Sequence, residues 1–301
     1  MDKVGVVTVT FNSQNVIEEF LDSIFSQSHE NFKLYVIDNA SADKTLTIIN
    51  FYHDRRILTI NNLNNRGVAA GNNQGIEAAL KDDCNYILLI NNDTVFSSDL
   101  ISQLLKVIRE NNCSMATPKM MYHSRPNVIW CAGGFFRKTN GYLPENRGLN
   151  HKDIGQFNCV ERVDYAPTCC TLIKKEVFED IGLMDEKYFV YADEVDFFYR
   201  VWKNGKHLMY YTPNTKLYHK VGALTQSMRG IPQSKYAEFY LRYTTRNNIY
   251  FLKKQNTLYS KFFIAYYFVK MPFSFLLTGR YNRNLKTFLL LQKSFVEGLF
   301  L

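Results

Sequence analysis

The hydrophobic pattern of the first 110 residues switches repeatedly between two periods. Residues 4–9 form a short apolar run rich in β-branched side chains, and residues 34–37, 57–60 and 86–90 form three more. Between them, residues 16–25 and 68–80 carry apolar positions at helical spacing. Ser41 is placed to cap a helix after the second run, and Ser97 or Ser98 to cap one running to Arg109. Short strands alternating with helices predict βαβ units and a parallel sheet. In such open sheets, ligands gather beyond the carboxyl ends of the strands.

Those ends read Thr10-Phe11-Asn12, Asp38-Asn39, Asn65-Arg66-Gly67 and Asn91-Asn92-Asp93-Thr94. One such end is ordinary loop chemistry, whereas four on one edge predict a polar pocket. Asp93 closes an apolar strand, where a carboxylate either holds a divalent cation through oxygen or begins a turn. The glycines at 67, 71 and 75 do not have the G-x-G-x-x-G spacing, and no phosphate-loop motif is present. Dehydrogenases and P-loop enzymes are disfavoured.

A second acidic group, Asp193, Glu194 and Asp196, opens a helix expected over 192–204. On that helix 193 and 196 share a face, while 194 points about 100° away. Acids in a first turn are also favoured by the helix dipole alone. A metal-assisted displacement needs a cation to neutralise leaving-group charge and a carboxylate near the attacking hydroxyl. Asp93 can serve the first need and the 193–196 cluster the second. Arg200, one turn beyond Asp196, is placed for a structural ion pair. Trp130 and Gly133-Gly134 either shape the acceptor side or pack in the core.

Composition is that of a folded protein: 301 residues, 46% hydrophobic and 21% charged, which excludes low-complexity disorder. Charge changes the picture further along. The chain carries +8, but residues 226–301 hold 12 of its 36 Lys and Arg against 2 of its 28 Asp and Glu. The last 76 residues also hold 18 of the 45 aromatic side chains. A basic, aromatic-rich region beside a near-neutral body fits an anionic membrane surface better than a nucleic acid. The apolar window 262–277 contains Lys270 and Pro272 and is too short to span a bilayer; residues 285–299 carry an apolar helical stripe. The expected division is therefore a catalytic domain over 1–225 and a helical region over 226–301 that either lies on a membrane surface or packs on the body. The start, Met1-Asp2-Lys3 followed by a strand, has no signal-peptide pattern, so a cytoplasmic location is expected, with the six cysteines reduced and mostly buried.

Six segments together resemble the inverting family 2 glycosyltransferases, in their bacterial rhamnosyltransferase-like branch. They read VVTVTFNS at 6–13, VIDNASAD at 36–43, NNRGVAAGNNQGI at 64–76, LLINNDT at 88–94, GLMDEKYFVYADEVDFFYR at 182–200 and LYHKVGALTQS at 217–227. The resemblance spans roughly residues 3–250. It implies an α/β chain of the GT-A, nucleotide-diphosphosugar transferase fold, a sugar-nucleotide donor (dTDP-rhamnose, then UDP-hexoses), Mg²⁺ or Mn²⁺, and a glycan or lipid-linked acceptor. It assigns Thr10, Asn12 and Asp38 to the nucleobase and ribose pocket. Arg66, Gly67, Asn72 and Asn92 fall to the donor, and Asn91, Asp93 and His219 to the metal or diphosphate. Asp193-Glu194 matches the family's acid pair, whose second member is usually the base, making Glu194 the expected base. Two departures stand out: an amide, Asn91, opens the metal motif, and the acid pair is reversed. The rival reading is a catalytically impaired nucleotide-sugar-binding assembly partner.

Overall fold

Residues 4–10 illustrate how the fold is laid down, because their alternate side chains enter two different cores. Val6 packs with Leu34, Val36 and Leu88 on one face of the sheet, and Val7 with Tyr35, Ile37 and Leu89 on the other. The computed structural model describes residues 2–221, 233–277 and 285–301. In chain order the first half holds β1 (Val4–Thr10), α1 (Ile17–Phe25), β2 (Phe32–Asp38), α2 (Thr45–Phe51), β3 (Ile57–Asn61), α3 (Val68–Lys81), β4 (Tyr86–Ile90), β5 (Thr94–Phe96) and α4 (Leu100–Glu110). Then follow β6 (Met115–Tyr122), β7 (Arg125–Cys131), β8 (Glu161–Val163), β9 (Cys170–Lys174), α5 (Lys175–Ile181), a 3₁₀ turn (Glu186–Tyr188), α6 (Asp193–Asn204) and β10 (Met209–His219). Three helices close the chain: α7 (Gln233–Gln255), α8 (Leu258–Leu277) and α9 (Leu285–Phe300).

The strands form one sheet in the order β3-β2-β1-β4-β9-β6-β10-β5, with β7 on β6 and β8 on β10. The parallel block expected from the sequence is present: β3, β2, β1 and β4 run together. Beyond it β9 is inserted antiparallel to both β4 and β6, and β10 then pairs parallel with β6. Helices α1 and α4 cover one face, and α3, α5 and α6 the other. Contact between α3 and β1 is close enough to need glycine: a Cβ on Gly75 would meet Val7 Cγ1 at 2.3 Å.

Two expected caps are corrected. Helix α2 starts at Thr45, and Asp43 rather than Ser41 accepts the Thr45 N–H, at 2.9 Å. Helix α4 starts at Leu100 without a serine cap, because Ser97 spends its hydroxyl on Asp99 Oδ1, 2.6 Å away. The cysteines behave as expected: all six are free, and five are buried, with Cys159 exposed.

The closing helices pack on the body and on one another. Ile249 and Leu252 of α7 form a small core with Phe295 of α9. At Gly298 a Cβ would lie 2.3 Å from the Arg246 carbonyl oxygen, so α9 sits directly on the α7 backbone. Leu258, Phe262 and Val269 of α8 and Leu289, Val296 and Phe300 of α9 remain exposed. No helix among the described residues is long and apolar enough to cross a membrane. Residues 226–232 and 278–284 of the basic region, and 222–227 of the His219 segment, lie outside the described residues.

Candidate active site

The ends of β1 and β2 are register partners, Thr10 beside Asp38. Thr10 donates its hydroxyl to Asp38 Oδ1 at 2.8 Å. Ser41 donates its hydroxyl to the same oxygen at 2.5 Å and its N–H to Oδ2 at 2.9 Å. Asn12 holds a left-handed backbone, φ 52°, and its side-chain oxygen accepts the Ala42 N–H at 2.8 Å. Thr10, Asn12 and Asp38 are thus brought together as one hydrogen-bonded corner. Within it Asp38 is buried, with both oxygens engaged by neighbours.

Arg66 and Gly67 stand at the N-terminus of α3. Gly67 has φ 86°, and a Cβ there would lie 2.3 Å from the Phe189 carbonyl oxygen, which accepts the Val68 N–H. Only glycine fits that approach. Half-exposed Arg66 reaches Glu186 Oε2 at 3.6 Å. Asn72 is buried, its amide against Met184 Sδ at 3.8 Å. The loop that carries Met184 and Phe189 therefore presses on the same helix end as the Arg66-Gly67 pair.

Beyond β4 the chain turns immediately into β5, which pairs antiparallel with β10 and sets His219 opposite Thr94. His219 Nε2 comes within 3.2 Å of Asp93 Oδ1. Both side chains are buried, yet Asp93 Oδ1 has no formed hydrogen bond and His219 Nδ1 has no partner. Burial opposes a charged ring at His219, but Cys169 and Asp93 beside it outweigh burial and push its pKa well up. Trp130 packs edge-on against this ring, 4.4 Å between centroids. Asn91 is half-buried; its N–H is tied to the Cys169 carbonyl and its own carbonyl accepts from Thr94. Asn92 is fully enclosed and donates its amide to the Val9 carbonyl at 2.7 Å, joining β4 to β1.

A carboxylate and an imidazole with buried, unsatisfied atoms fit a divalent cation. Among the described residues no group of three or more His, Cys, Asp or Glu could hold a metal. An ion here would draw its remaining ligands from a bound diphosphate and water, which is how Mg²⁺ commonly binds.

The acid pair opens α6 after an unusual run of backbone. Phe189, Tyr191 and Ala192 all have positive φ, between 62° and 65°. Asp193 is 1% exposed and its Oδ2 has no partner. Burial, then the charge of neighbouring Glu194, drives its carboxyl well above the ordinary range. Glu194 is less buried and accepts a hydrogen bond from the Tyr165 hydroxyl at 3.4 Å. Asp196 shares burial with Asp193 but has a structural role. It receives Arg200 at 3.0 Å, as expected, together with Lys254 at 2.8 Å and the Tyr188 hydroxyl at 3.3 Å.

Two contacts were not foreseen from the sequence. Tyr165 touches Glu194, and Cys169 lies against His219. The short segment 165–169 therefore joins the acid pair to the Asp93–His219 pair. No local pattern announces this, because the crossing of β9 between β4 and β6 creates it.

The description Glycosyl transferase family 2 matches residues 5–182. The low-salt glycan biosynthesis hexosyltransferase Agl10 of Haloferax volcanii is 28% identical over 204 residues, 66% of this chain and 62% of that protein. This chain thus matches under two thirds of that relative's length. Two solved structures share the fold at 15% identity and a TM-score of 0.55. One is the mannosyltransferase PcManGT from Pyrobaculum calidifontis with GDP-Man and Mn²⁺, covering 84% of this chain and 64% of that one. The other is S. aureus TarS 1-349 with UDP-GlcNAc, covering 82% and 66%. The chain belongs to glycosyl transferase family 2, and its sheet and flanking helices form the GT-A fold.

Proposed function

We propose that this protein is an inverting transferase that moves a sugar from a nucleoside-diphosphate donor to a hydroxyl of a cell-surface glycan or lipid-linked saccharide. The first donors to examine are dTDP-rhamnose and UDP-hexoses. The observation that carries the reading is the buried Asp93–His219 pair with its unsatisfied atoms at the strand ends. Asp93 and His219, with Asn91 beside them, would hold Mg²⁺ or Mn²⁺, whose chemical contribution is to neutralise charge on the leaving diphosphate. The Thr10–Asn12–Asp38 corner and the Arg66-Gly67 turn would seat the nucleotide. Glu194 would accept the acceptor hydroxyl's proton as that oxygen attacks the anomeric carbon. The bond from that carbon to the diphosphate breaks with its electron pair on the phosphate oxygen, and the configuration inverts.

The exposed apolar sides of α8 and α9, in a region of +10, support peripheral association with the cytoplasmic face of an anionic membrane. Such a location suits a lipid-linked acceptor. Asn91 in place of a carboxylate and the reversed acid pair favour the second reading, a binding partner without turnover. One experiment separates the two. Purified protein is assayed for nucleoside diphosphate release across a donor panel, with Mn²⁺, Mg²⁺ or EDTA and a lipid-linked acceptor. Metal-dependent release with one donor is expected. Nucleotide binding with no release from any donor would favour the second reading.

A further inference from the structure

We propose that Asn247 of α7 is a positioning residue that fixes the loop leading into the Asp193-Glu194 pair. The inference rests on the function proposed above and adds to it a residue far along the chain, in the basic, aromatic-rich region. Asn247 is completely buried. Its side-chain NH₂ faces three carbonyl oxygens, those of Tyr188 at 2.9 Å, Val190 at 2.7 Å and Tyr191 at 2.8 Å, and shares its two hydrogens among them. Arg246 Nε donates to Asn247 Oδ1 at 2.8 Å, which fixes the amide with its N–H groups toward the loop. Arg246 Nη2 reaches the Lys187 and Tyr188 carbonyls, each at 2.9 Å. Two adjacent side chains thus gather the carbonyl oxygens of one short loop.

That loop is the strained part of the site. Phe189, Tyr191 and Ala192 are non-glycine residues at positive φ, a strain that persists only where surroundings over-determine it. The constraint comes from two sides. The Phe189 carbonyl is held by the first turn of α3 beside Gly67, and the rest by Asn247 and Arg246. Ala192 is the residue from which α6 starts, so the loop sets where Asp193 and Glu194 begin. On this view the catalytic unit extends through α7, and Asn247 acts on the reaction through Glu194.

The test is Asn247→Asp, which keeps size and replaces the donating NH₂ by an oxygen facing three carbonyl oxygens. Transfer kcat is expected to fall on the order of 10–100-fold, with donor KM changed by less than about twofold, because the misplaced group serves the chemical step. Amide exchange of 189–193 is expected to quicken while that of β1 and β4 is unchanged. Arg246→Met, which removes two of the carbonyl contacts, is expected to give the same split at smaller size, and decides the matter if Asn247→Asp does not fold. Unchanged kcat in folded variants overturns the proposal, as does a proportional loss of kcat and donor affinity. Wild-type protein that turns over no sugar nucleotide would sink the proposed function, and amide exchange would then still decide this inference. Exchange at 189–193 equal to wild type would overturn it.

Discussion

His219 reaches Asp93 only because β10 runs antiparallel to the three-residue strand β5, which places His219 opposite Thr94 and its Nε2 3.2 Å from Asp93 Oδ1. Neither residue finds that partner through its own local element. The pair exists through the sheet order, in which β5 closes the edge beyond β10.

The first prediction concerns that pair. Asp93→Asn preserves size and removes the charge. Metal-dependent nucleoside diphosphate binding, followed by calorimetry with Mn²⁺, should disappear, and turnover should fall by about 10²-fold or more. His219→Gln should weaken binding less, since it is neutral when it ligates. Undiminished turnover in EDTA-treated wild-type protein would contradict the assignment.

A second prediction separates the two adjacent acids. Glu194 is the more accessible and touches Tyr165, whereas Asp193 is enclosed. Glu194→Gln should lower kcat by about 10²–10⁴-fold at nearly constant nucleotide affinity, the usual share of a general base. Asp193→Asn should lower it less. Rapid-quench transfer rates for both variants check this, and a deeper defect in Asp193→Asn would reverse the assignment.

The third follows from Asp193 and stability. Its folded pKa is raised, chiefly by burial, so the folded state holds this proton more tightly than the unfolded chain. The contribution is fully present below the ordinary carboxylate pKa of about 4 and is lost as pH rises through the raised value. Asp193→Asn should remove this dependence. Chemical denaturation from pH 4 to 8 should show the variant gaining on wild type as pH rises; parallel curves would argue against a protonated Asp193.

The fourth addresses the membrane. Deleting α9 would bare the Ile249–Leu252–Phe295 core, so exposed positions offer the cleaner test. Leu289→Ser with Lys293→Glu should leave folding intact and lower partitioning onto anionic liposomes by roughly tenfold, given about 1 kcal/mol per basic residue near such a surface. Equal sedimentation of variant and parent would refute membrane docking through this face.

How much of this was legible in the sequence depends on how local the signal was. The four parallel strands and helices α1, α3 and α6 were expected within a few residues, because apolar period and strand length determine them. Ser41 misled because a serine after a strand can serve a helix or a neighbouring carboxylate, and Asp38 stood closer. The strands beyond α4 gave no comparable signal: apart from the β6–β7 hairpin, β6, β8, β9 and β10 pair with segments distant in sequence, in both parallel and antiparallel sense. Asn247 went unread for a related reason. A polar residue in a basic, aromatic helix looks like a solvated face until the loop at 188–191 is folded against it.

The glycines of α3 have a consequence for how the proposed donor site comes into being. Gly71 and Gly75 sit in the helix interior, where each costs about 1 kcal/mol of helix propensity relative to alanine, and Asn72 and Asn73 lie between them. They are there because β1 leaves no room: Cβ atoms on them would strike Val9 and Val7. A peptide excised over Val68–Lys81 is therefore expected to be largely unstructured in water, and circular dichroism would show it. Within the protein this helix can settle only once β1 offers its surface. The turn at Gly67, and the hold of the α3 N-terminus on the 189 carbonyl, therefore depend on the packing of α3 against β1.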